Sequence, residues 1–101
     1  MSSKAEIQRQ LALLRRQIEE VEKEINISAP YKEHVKQQMA MHHTTMTDSD
    51  DEAVSKLAMK NYEFYCGILE KVLKKEQERG ERRREMRNAE RTLSISLQSA
   101  Q

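Results

Sequence analysis

Six apolar residues near the start of the chain, Ile7, Leu11, Leu14, Ile18, Val21 and Ile25, are spaced alternately four and three residues apart. On a helix this spacing puts all six on one side and defines a coiled-coil seam, with Leu11, Ile18 and Ile25 at a and Ile7, Leu14 and Val21 at d. A strand would need alternation at every second residue, which is absent. Gln, Arg and Glu, good helix formers, fill the positions between. The pattern predicts a helix over 3–27. Ala12 and Leu13 widen the seam beyond what a strict two-stranded coil needs, which fits three or four packed helices.

Pro30 interrupts this pattern. Proline has no N–H and clashes with the carbonyl four residues back, here that of Asn26, so it either kinks one helix or separates two. Ser28 can cap a new start. If the register carries through, Val35 falls at d and Met39 and Met46 at a, but Lys32 takes an a position and His42 a d position. A second helix is expected over 28–43, then a polar loop over 44–50, where Thr, Ser and Asp compete with helical backbone bonds. Ser49 followed by Glu52 matches a capping box and predicts a long helix over 50–92. Its first half carries a broad apolar face, from Val54 to Leu73; its second half is almost wholly charged. Residues 93–101 read as a flexible tail. The expected fold is all-α, a single domain over 1–101: an elongated helical hairpin or a three-helix arrangement with an N-terminal coiled-coil arm.

Composition agrees. The chain is 35% charged, with two Gly, one Pro and no Trp, a mix suited to long helices that each bury one stripe. No apolar run approaches the length of a membrane span. Met1-Ser2-Ser3-Lys4 leads into a charged helical pattern rather than an apolar signal core, so the expected address is cytoplasmic, with cytoskeletal association or the nucleus as further readings. On that route the glycosylation pattern Asn26-Ile27-Ser28 is a chance match. Net charge is +1, but residues 30–53 carry −3 and residues 70–91 carry +3.

The seam raises the question of what covers it. Folding the chain about the middle of the 43–51 segment sets Leu11 opposite Arg83, Leu14 opposite Gly80 and Ile7 opposite Arg87. The best apolar ridge would then face the most charged segment, and each wet Leu or Ile forgoes about 1.5–3 kcal/mol. A protein partner is the expected remedy, with Ile7, Leu11, Leu14, Ile18, Val21 and Ile25 as the interface. The flanking e and g residues, including Gln10, Arg15, Gln17 and Glu22, select neither a homo- nor a hetero-oligomer. The function expected is that of a non-catalytic structural or adaptor subunit in a multi-protein complex.

Nothing in the sequence points to an enzyme, a metal or a cofactor. His34 and His42 lie too far apart on a helix to share an ion unaided, and the three histidines suit a helix end. Cys66 has no nearby base and reads as a small half-buried hydrophobe. Arg79, Arg82, Arg83, Arg84, Arg87 and Arg91 form the alternative site, a basic helix contacting an acidic partner. The glutamates threaded between them, and the lack of aromatic residues, disfavour nucleic acid. Thr47 and Ser49, in an acidic setting, and Ser94, after Arg91, are candidate phosphorylation sites.

Overall fold

The structure, a computed structural model, describes residues 3–100. It contains two helices, α1 (Lys4–Asp48) and α2 (Glu52–Ser99), joined by a three-residue turn. The expected three-helix arrangement is therefore replaced by a two-helix hairpin. Pro30 lies inside α1 without ending it. The expected loop over 44–50 is helical as far as Asp48. Its threonines are accommodated by turning their hydroxyls onto the helix: Thr44, Thr45 and Thr47 donate to the carbonyls of Ala40, Met41 and His43 at 3.0, 3.1 and 3.1 Å. A hydroxyl satisfied in this way no longer competes for the backbone.

The caps also differ from expectation. At the start of α1, the Glu6 N–H donates to Ser3 Oγ at 3.2 Å, so Ser3-Lys4-Ala5-Glu6 supplies the first cap. At the start of α2 the cap is Asp51 rather than Ser49. Asp51 Oδ1 accepts from the Ala53 and Val54 N–H groups at 2.9 and 3.4 Å. Ser49 serves the turn instead, its Oγ accepting from the Asp51 N–H at 3.2 Å.

Contacts divide the chain into two units. One comprises Ile27–Glu76, the turn included; the other joins the residues up to Asn26 with those from Gln77 onward. In the turn-bearing unit the helices run antiparallel. Ser55 Oγ donates to the Met46 carbonyl at 2.8 Å, His42 stacks on Tyr65, and Lys32 pairs with Glu76 at 2.9 Å. The inward residues of α1 are Ser28, Lys32, Val35, Met39, His42 and Met46, which continue the N-terminal heptads through Pro30 without a skip. Those of α2 are Ser55, Ala58, Tyr62, Tyr65, Leu69 and Val72, again three and four apart. Only Val35 and Ala58 are fully buried here.

The second unit is also an antiparallel pair. Arg15 meets Glu90 at 3.0 Å, Glu22 meets Arg87, and Glu24 meets Arg82 at 3.0 Å and Arg79 at 3.6 Å. Its α2 seam is Arg79, Arg83, Met86, Glu90, Leu93 and Leu97, all half-buried at heptad spacing. Ile7, Leu11, Ile18 and Val21 are buried, at 4, 3, 8 and 3% exposure, and Leu14 and Ile25 are half-buried.

This corrects the expected pairing. Reflection about the presumed loop put Arg15 opposite residue 79, whereas it meets Glu90. The turn falls later than assumed, at Ser49–Asp51; reflection about Asp50 pairs Arg15 with residue 85, so the later turn accounts for about half of the shift. The residues expected to form a flexible tail are helical through Ser99. Leu93 and Ile95 line a cleft with Ile7. Gln101 lies outside the described residues. Long arginine stems in the α2 seam, such as that of Arg83, add apolar length beneath a charged head. The N-terminal ridge is thus closed within the chain and is not an open face.

Candidate interaction surface

With the ridge covered, exposed apolar side chains lie elsewhere. In the turn-bearing unit Ile27, Tyr31, Met41, Leu57, Met59 and Phe64 are all exposed, as are Val54 and Leu73. Ile27, Leu57 and Phe64 stand out at 77, 61 and 63%. The broad apolar face of α2 read from the sequence is therefore divided. Ala58, Tyr62, Tyr65, Leu69 and Val72 turn toward α1, while Val54, Leu57 and Leu73 remain in water.

Two aromatic pairs fix the sides of this unit. His42 lies over Tyr65, with ring centres 5.6 Å apart and planes within 16°. His43 meets Tyr62 at 5.7 Å, with planes tilted by 55°. The two histidines expected to close a helix end are thus ring partners across the seam, one on each margin. At about 100° per residue, Leu57, Phe64 and Ile68 of α2 project on the Tyr65 margin, as do Ile27 and Tyr31 of α1. Phe64 also packs edge-on against Tyr65, at 5.4 Å. The Tyr62 margin carries Met59, Cys66 and Leu73 instead. The Tyr62 hydroxyl is held above the usual phenol range, chiefly by its hydrogen bond to the Cys66 side chain.

Charge is divided between the same margins. Lys71 and Lys75 project on the Tyr65 side; Glu52, Glu63 and Glu70 project on the Tyr62 side, as does Lys56, which Glu52 pairs, and Lys60 faces away from both. Lys32, Lys36 and Lys56 are ion-paired inside the unit. None of the ion pairs among the described residues involves Lys60, Lys71, Lys75, Glu63 or Glu70.

The arginine run is sorted as well. Arg79, Arg82 and Arg87 are engaged by Glu24 and Glu22 of α1. Arg83, Arg84, Arg87 and Arg91 line an open cleft of about 510 Å³ with Gly80 and Asn88, and no glutamate lines it. The glutamates that alternate with arginine along the sequence fall mostly on other sides of the wound helix, and Glu90 is taken by Arg15. Of the candidate phosphorylation sites, Thr47 is exposed at the end of α1, Ser49 is half-buried in the turn and Ser94 is half-buried on α2.

Among the described residues no cluster of three or more His, Cys, Asp or Glu side chains could hold a metal ion. No helix among the described residues is long and apolar enough to cross a membrane. What fold and surface define is an antiparallel helical hairpin with heptad-spaced inward faces. Comparison with protein-family models, with curated proteins and with solved structures gives no match.

Proposed function

We propose that this chain is a non-catalytic structural subunit that joins other protein chains by helix packing, and that the surface it uses is the flank of the turn-bearing unit. The observation that carries this reading is the imbalance within Ile27–Glu76. Two residues are fully buried there, while eight large apolar side chains remain exposed. Clustered exposed apolar surface marks association sites. The six N-terminal ridge residues first expected to form the interface serve the chain's own seam, so the interface moves to Leu57, Phe64, Ile68, Ile27 and Tyr31. A photo-cross-linking residue placed at Phe64 in cells should give discrete protein adducts, and one placed at Leu11 should not. Adducts at Leu11 and none at Phe64 would return the interface to the ridge.

A second reading is favoured by the arginine-lined cleft. Arg83, Arg84 and Arg91 are open to an acidic partner, and α2 presents them without an interposed carboxylate. Arg84→Ala with Arg91→Ala should weaken salt-sensitive binding of inorganic polyphosphate and leave helicity unchanged. Equal binding by variant and parent would remove this reading.

A further inference from the structure

We propose that the Tyr65 margin of the turn-bearing unit receives the Tyr62 margin of a second copy of this chain, so that hairpins associate side to side in a heterologous contact. This rests on the reading of that unit as a packing surface and names what occupies it.

Two surfaces of one molecule are complementary. The Tyr65 side offers Leu57, Phe64 and Ile68 bordered by Lys71 and Lys75, with no carboxylate among them. The Tyr62 side offers Met59, Cys66 and Leu73 bordered by Glu63 and Glu70. Each surface has an apolar strip on α2 with unpaired charges of one sign beside it, and the signs are opposite; Lys56, in line with Glu63 and Glu70, is neutralised by Glu52. Neither charge set is consumed by ion pairs within the chain. Joining two Tyr65 margins would set lysine against lysine, and like charges across an interface select against that arrangement. Joining unlike margins matches lysine with glutamate and covers Phe64, Leu57 and Met59 together. A heterologous contact of this kind leaves a free surface at each end, so it propagates beyond a dimer or closes into a ring.

The test uses the full chain and two charge-reversed variants, Lys71→Glu/Lys75→Glu and Glu63→Lys/Glu70→Lys, followed by sedimentation velocity across a concentration series. All four positions are exposed and outside the internal ion pairs, so circular dichroism of each variant should match the parent. The parent should self-associate, and the association should weaken as salt rises from about 0.1 M to 1 M, where the screening length falls from about 10 Å to 3 Å. Each variant alone should associate about tenfold or more weakly than the parent. An equimolar mixture should recover assembly, because every contact between unlike variants again joins opposite charges. A parent that stays monomeric at all concentrations overturns the second-copy proposal and leaves association with an unlike chain standing. If Glu63→Lys/Glu70→Lys assembles as well as the parent, the contact joins two like margins and the proposal also fails.

Discussion

Replacing Leu11 with alanine separates the two roles the N-terminal ridge can play. Leu11 is 3% exposed within a single chain. Truncating a buried leucine costs about 2–5 kcal/mol, the spread reflecting how far the surroundings collapse into the space. Leu11 lies in a two-helix seam near the open end of the hairpin, where neighbours can relax, so a value near 2–3 kcal/mol is expected. For a chain of this size that is a fall of about 10–20 °C in the thermal midpoint. Leu13, two residues away, is 55% exposed, and Leu13→Ala should change stability by no more than about 0.5 kcal/mol. Thermal melts followed by circular dichroism at two protein concentrations measure both. If Leu11→Ala leaves the midpoint of the dilute chain unchanged and instead lowers the mass of an assembly, the ridge is an interface between chains and does not pack within one.

Other outcomes follow from particular side chains. Asp51→Ala removes the acceptor for the Ala53 and Val54 N–H groups and should cost about 1 kcal/mol by urea denaturation, whereas Ser49→Ala should cost less. A methyl added at Gly80 meets no heavy atom within 4 Å, so Gly80→Ala should raise stability by about 0.5–1 kcal/mol, read from the same denaturation curves. In an ultraviolet titration Tyr62 should ionise at higher pH than a free phenol, and Cys66→Ala should bring its midpoint down. Because the raised value favours the neutral phenol in the folded chain, its contribution to stability is complete below the unfolded phenol value and is lost as pH rises through the folded one.

The sequence shows α1 clearly, because Ile, Leu and Val fill its heptads as far as Ile25. It hides the seam of α2, because Arg79, Arg83 and Glu90 occupy inward positions and the exposed Glu76 fills a heptad position between Val72 and Arg79, and a reading by hydropathy passes over them. Spacing alone would have found it, since the three-and-four alternation runs unbroken from Ser55 to Leu97. The position of the turn was hidden by Thr44, Thr45 and Thr47, whose bonds to preceding carbonyls suit a helix as well as a loop. The later turn shifts every cross-helix pair, so that Leu93 and Leu97 enter the seam with the ridge, although Arg79 and Arg83 remain in it. The exposed flank containing Phe64 and Leu57 was visible only as part of a broad apolar face. Which residues of that face turn inward depends on the partner helix, and no local pattern supplies it.

The charged residues in the seam raise a question of register. Two heptad-spaced helices can slide past each other by seven residues and keep apolar positions in line, and a polar residue at a seam position is a device against this. Lys32 and Glu76 are such a pair, 2.9 Å apart, with the lysine side chain 22% exposed and the glutamate 49%. A slip of one heptad in either direction would set Lys32 against Leu69 or against Arg83, leaving the ammonium unpaired or beside a like charge. Because both groups reach solvent, the pair itself contributes no more than about 1 kcal/mol. Replacing both by leucine should therefore leave stability equal or slightly higher while weakening the choice of register. Spin labels at Lys36 and Lys74 in a Cys66→Ser background would report this as a distance distribution. It should be narrow in the parent and broad or doubled in Lys32→Leu/Glu76→Leu. A single narrow peak at the parent distance in the double-leucine chain would show that the three-residue turn alone sets the register.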